Sequence, residues 1–196
     1  MKKIIFLYLA LVNLAFAYNY DDILLKAQAS IFPKIMLLDK KLENKLVDGQ
    51  IVYTIVHDKS DYQTALEIKT FINNKYNGYI GKYSYKINLV NLSDLSYNTK
   101  ASSFYVLNAD NSIKEVAKIA KDKWIISFSY VINNLKKGLM FSLSIEKSTV
   151  LYLEKDNLYS QNVDFVDSLL QIVRFVDNDN LNEKVMFFNH LNNETM

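Results

Sequence analysis

Two histidines, His57 and His190, are the only side chains of this 196-residue sequence whose ordinary pKa suits proton transfer near neutral pH. His57 is followed by Asp58 and closes the apolar run Ile51 to Val56. Open α/β sheets collect ligands at the carboxyl ends of their strands, so His57 and Asp58 are the first candidates for acid–base or ligand-binding work. The competing reading is a strand-end histidine bonded to backbone. No G-x-S-x-G elbow supplies a nucleophile. Without cysteine, and with its two histidines far apart, the chain has no zinc spacing. Asp177, Asp179 and Glu183 fall short of a calcium loop, which needs more oxygens and a turn glycine. None of the four glycines builds a phosphate cradle. Tyr76, Tyr79, Tyr83 and Tyr85 cluster around a loop, where Tyr83 and Tyr85 offer stacking faces for a ring-shaped ligand. The 21 acidic residues provide many carboxylate pairs, but no motif selects one. The expectation is a protein without a catalytic site, resident metal or cofactor.

The elements that would position these residues alternate between strand and helix. Apolar residues at Ile23, Ala27, Ile31, Ile35 and Leu38 follow a helical period behind the acidic start Asp21-Asp22, and Pro33 predicts a kink or break near Phe32. Gln50 to His57 reads as a buried strand, and the helix after it carries Tyr62, Ala65, Leu66, Ile68, Phe71 and Ile72 to a stop at Asn77-Gly78. Strands follow at Tyr83 to Val90, Ser102 to Leu107 and Trp124 to Phe128, with a helix from Asn111 to Ala120. Leu139 to Ile145 and Thr149 to Glu154 are separated by three residues, which demands an antiparallel hairpin. A last amphipathic helix is predicted from about Asn162 to Val176, with Val163, Val166, Leu169, Leu170 and Val173 inward. The fold class is therefore a single α/β domain, its mixed and mostly parallel sheet flanked by helices and closed by a C-terminal hairpin.

The N-terminus has the order of an export signal: Lys2 and Lys3, an apolar run from Ile4 to Leu14, and the small-x-small box Ala15-Phe16-Ala17. Residues 1–17 are thus expected to be a signal peptide cleaved after Ala17, delivering residues 18–176 to the periplasm as a domain followed by a polar tail, 177–196. The run is too short to span a bilayer. A lipoprotein would need a cysteine, which the chain lacks. Losing Lys2 and Lys3 leaves as many basic residues as the 21 acidic ones, a balance that gives no footprint for nucleic acid.

The closing block carries Phe128-Ser129-Tyr130, then Gly138-Leu139-Met140-Phe141-Ser142-Leu143, Val150-Leu151-Tyr152-Leu153 and Asp167-Ser168-Leu169-Leu170. With the leading Leu24-Leu25-Lys26-Ala27 and the order of elements, it resembles the YfiR/HmsC-like family of periplasmic regulatory proteins. The resemblance runs to about residue 176. It departs after the first helix, where Leu37-Leu38-Asp39-Lys40 replaces an aromatic-proline step, and in lacking cysteine. It implies a non-enzymatic periplasmic regulator that binds an inner-membrane signalling protein, a diguanylate cyclase or sensor kinase, and so tunes cyclic di-GMP and biofilm formation. The partner surface is expected on Ile31, Phe32 and Ile35 of the leading helix or on Phe187 and Phe188 of the tail, with a homodimer as a further possibility. The alternatives are a small-ligand binder using His57, Asp58, Tyr83 and Tyr85, or a structural part of an envelope assembly.

Overall fold

A computed structural model describes residues 19–108 and 112–176 of the chain. Helix α1 (Asp22–Met36) leads into a 3-10 turn (Leu42–Lys45) and strand β1 (Ile51–His57). Then come helix α2 (Tyr62–Tyr76), strands β2 (Tyr79–Ile80), β3 (Tyr83–Asn91) and β4 (Ser103–Val106), helix α3 (Ile113–Asp122) and strand β5 (Ile126–Ser129). A 3-10 segment (Ile132–Lys137) precedes the hairpin β6 (Phe141–Ile145) and β7 (Thr149–Glu154), which is followed by short helices α4 (Lys155–Ser160) and α5 (Asp167–Ile172) and strand β8 (Arg174–Val176).

One sheet holds all eight strands in the order β2-β3-β1-β4-β5-β6-β7-β8. The five central strands, β3 to β6 in that order, are parallel. β2 pairs antiparallel with β3, and β7 with β6, while β8 runs parallel to β7. The chain leaves β1 toward one side, through α2 to β3, and leaves β4 and β5 toward the other. Crossovers of one hand must then lie on opposite faces of the sheet. The core divides accordingly. α1 and α2 bury Leu25, Phe32, Ile35, Ala65, Ile68 and Ile72 against Tyr53, Tyr105 and Phe128, whereas α3 buries Val116, Ile119 and Ala120 against Val56, Phe104 and Val106.

Helix α1 starts where the sequence predicts, with Asp21 Oδ1 accepting from the Leu24 amide at 2.7 Å. Of the kink or break expected near Phe32, the break does not occur: Asp22–Met36 passes through Pro33 as one helix. Pro33 lies in the last turn, so its missing N–H forfeits a single bond, while Phe32, Ile35 and Met36 around it are fixed in the core. Phe32 is fully buried, stacked on Phe128 at 4.6 Å and edge-on to Tyr105 at 5.3 Å. Burying such a ring contributes about 1.5–3 kcal/mol. Among these apolar residues sits fully buried Gln28. It donates to Tyr130 O (3.2 Å) and Leu143 O (2.9 Å) and accepts from the Tyr105 hydroxyl (2.6 Å).

Three further readings need correction. The expected helix over 162–176 is instead a bridge of Phe165 to Asp39, the six-residue α5, and β8 on β7. Extended chain there satisfies backbone groups along β7 that a helix would leave unpaired. Trp124 does not begin a strand: its φ is 56°, and β5 starts two residues later. Phe32 and Ile35 cannot form a partner surface, because both are core residues, and Ile31 is half-buried against the same core. The expected leader 1–17, Phe187, Phe188, His190 and the acidic residues of the tail lie outside the described residues.

Candidate functional site

The strand order creates the site before any side chain is considered. β1 has β3 on one side and β4 on the other, and the connections leaving β1 and β4 diverge onto opposite faces. At that switch point the carboxyl ends of the strands border a crevice. The crevice is an open cleft of about 590 Å³. Asp58, Lys59 and Ser60 follow β1, Asn91 ends β3 with Leu92, Ser93 and Leu95 behind it, and Ser112 and Glu115 start α3.

Short polar groups shape its walls. Asn91 Oδ1 accepts from the Ser93 amide (3.0 Å) and hydroxyl (2.8 Å), closing a tight turn where β3 hands over to a 3-10 turn. Ser112 caps α3 without a side-chain bond to the helix, and its carbonyl accepts from the amides of Glu115, in the first turn, and Val116 at 3.1 Å each. Glu115 in that turn brings a carboxylate close to the same end of the helix.

His57 closes β1 as predicted, opposite Asn91 in register. It is only 4% exposed. Its Nδ1 donates to the Asp58 carbonyl at 2.8 Å, which assigns the proton to Nδ1 in the neutral ring, and the ring rests on Tyr62 at 5.6 Å. His57 therefore organises the β1–α2 turn, while Asp58 reaches the cleft.

Beside them is a group that sequence reasoning passed over. Asp61 is buried, and burial raises its pKa above the usual carboxylate value, with hydrogen bonds from Tyr20 and Ser60 acting against that shift. The Tyr20 hydroxyl also accepts from the Asn108 amide (3.0 Å), and its ring stands edge-on to Tyr130 at 4.8 Å. The Asp21 amide donates to the Tyr130 hydroxyl (2.9 Å). The residues before α1 thus strap the carboxyl ends of β1, β4 and β5. A tyrosine just ahead of a helix cap carries no sequence signal for such a long-range bond.

Tyr83 and Tyr85 do not join His57 and Asp58. Tyr85 pairs with Ile51 and His57 with Asn91, six residues further along, so the two pairs lie about 20 Å apart at opposite ends of the sheet. The tyrosines there have packing partners. Tyr83 donates to Glu43 Oε1 (3.0 Å), which Lys82 also holds at 3.1 Å, and Tyr85 donates to Asn73 Oδ1 (3.1 Å). Tyr76 donates to Ser30 O (2.6 Å), and burial pushes its pKa to about 12. No group of three or more metal-ligating side chains occurs among the described residues.

No family model and no curated protein matches the sequence. Among solved structures the chain is similar to a conserved domain protein from Vibrio cholerae O1 biovar El Tor, with a TM-score of 0.57 and 10% identity over 78% of this chain and 60% of that one. At that identity the likeness shows the fold, and this chain spans less than two thirds of the Vibrio protein. A second similar structure is the ABC domain in complex with L-tryptophan from Streptococcus pneumoniae, with a TM-score of 0.45 and 10% identity over 74% and 62% of the two chains. That superposition is too loose to carry an argument.

Proposed function

We propose that the protein is an exported, non-enzymatic regulator that binds the periplasmic part of an inner-membrane signalling protein, and that its recognition edge is the carboxyl end of the sheet. The observation that carries this reading is the open switch-point cleft, with Asp58, Ser93 and Glu115 on three different connections converging on one space. The class of partner rests on the resemblance to YfiR/HmsC-like proteins. His57 is 4% exposed and its Nδ1 is committed to its own turn, which supports a structural role for it over one in catalysis. Among the described residues no helix is long and apolar enough to cross a membrane, so contact with a membrane protein would be made from outside the bilayer.

Because the chain contains no cysteine, Ser93→Cys gives a single crosslinking site at the cleft. The expected result is a crosslink from Ser93→Cys to a membrane cyclase or kinase, none from Lys69→Cys on α2, and altered cyclic di-GMP on deletion of the gene. Unchanged cyclic di-GMP together with no membrane partner would sink the proposal. A second reading, a small-ligand binder, is favoured by the cleft volume, which falls in the range of about 300–1,000 Å³ of ligand pockets. A thermal-shift screen separates the two, since a saturating ligand raises the melting temperature without any partner.

A further inference from the structure

At the other end of the sheet, α3 stops in a Schellman turn: the Ile125 amide donates to Ala120 O (2.8 Å) and the Trp124 amide to Lys121 O (3.2 Å). This turn requires a left-handed backbone at residue 124, which glycine or asparagine adopts at least cost. The other described residues with positive φ are glycines, asparagines or an aspartate, whose short side chain tolerates the same conformation: Asp48, Asn77, Asn162, Gly49, Gly78, Gly81 and Gly138. Position 124 instead holds the one tryptophan of the chain. Burial does not compensate for the strain, because Trp124 is 56% exposed. A bulky ring kept in a strained backbone and left at the surface points to a role for its free face.

Trp124 walls a groove of about 210 Å³ together with Asn44, Lys45, Lys100, Lys123 and Asn162, over an aliphatic floor. Three lysines and no carboxylate line it. Lys45 is neutralised by Asp39 at 2.8 Å, while Lys123 donates to the carbonyls of Tyr97 (2.5 Å) and Thr99 (3.0 Å), neither of which cancels its charge. Lys100 is exposed. The groove is smaller than the roughly 300 Å³ at which pockets for drug-sized molecules begin, so its natural occupant is one ring. A single aromatic face flanked by two amides suits a ring rich in hydroxyls, and the lysines suit a negative substituent.

We propose that this groove binds an acidic saccharide, one carboxylated pyranose lying on the Trp124 indole with its carboxylate toward Lys100 and Lys123. The site is separate from the carboxyl-end cleft and does not depend on the contact reading. The test is a titration of the purified protein with trigalacturonate, read by the emission of its single tryptophan. A saturable blue shift is expected, with affinity at least about tenfold above that for maltotriose and falling as salt is added. Trp124→Gly, followed by calorimetry, should lose at least about tenfold in affinity while melting no lower than wild type, since glycine relieves the turn. Lys100→Ala should weaken binding about three- to tenfold. The proposal is overturned by absence of saturable trigalacturonate binding, by equal affinity for maltotriose or for benzoate, or by undiminished affinity in Trp124→Gly.

Discussion

The two ends of the sheet are built by different means. At the carboxyl end the cleft follows from strand order: β1 sits between β3 and β4, the connections diverge, and serines and asparagines finish the walls with short local bonds. At the amino end the topology leaves nothing open by itself, and side chains hold separate segments together. Asp39 is the centre of that arrangement. Its carboxylate pairs with Lys45 at 2.8 Å and accepts from the amides of Lys41 and Asp164 at 3.0 Å each, tying the segment after α1 to the chain entering α5. The contrast teaches that a site given by topology tolerates changes in its lining, whereas a site assembled from buried charge depends on individual residues.

That contrast fails or sharpens in denaturant. Asp39→Ala would leave the Lys45 ammonium buried without its partner and should cost about 3–5 kcal/mol in urea unfolding. A loss under about 1 kcal/mol would mean that the amino end is not held by this pair. At the carboxyl end Asp61 gives a pH-dependent counterpart. Its pKa is raised in the folded state, so its contribution is fully present below the unfolded value near 3.8 and is lost as pH rises through the folded value. Asp61→Asn should therefore raise the melting temperature at neutral pH, with the gain vanishing below pH 3.8. An equal gain at both pH values would assign the effect to something other than burial of charge. The smallest effect is expected for Ser93→Ala in the cleft wall, within about 0.5 kcal/mol of wild type. A larger loss would show that the cleft, too, depends on particular side chains.

The elements flanking the cleft were legible where one periodicity and one environment coincided. β1 has all seven residues buried, so its apolar run announced a central strand, and His57 followed at its carboxyl end. The stop of α2 at Asn77, with φ 47°, was legible because the residue there matches what the turn demands. The stop of α3 was not, because tryptophan occupies the same kind of position and reads as strand. Residues 162–176 were misread since Val166, Leu169 and Val173 keep a helical spacing, although pairing with β7 takes the end of that segment into the sheet. The grouping of Tyr83 and Tyr85 with His57 and Asp58 fails because the parallel register places Tyr85 beside Ile51, at the other end of β1, and no local pattern encodes register between strands. Asp61 and Tyr20 depend on contacts across the chain and left no local mark.

The buried Gln28 also acts as a key. An apolar stripe by itself would let a helix slip along a sheet by one turn, about 5.4 Å, and find new apolar neighbours. With Gln28 locked to Tyr130 O, Leu143 O and the Tyr105 hydroxyl, such a slip would strand polar groups in the interior, so the joint accepts one setting. Tyr20 and Asp21 stand at the end of that helix, and the key fixes how far they extend over the ends of β4 and β5. The position of the strap at the carboxyl edge of the sheet is thus set by a glutamine amide in the middle of the hydrophobic core.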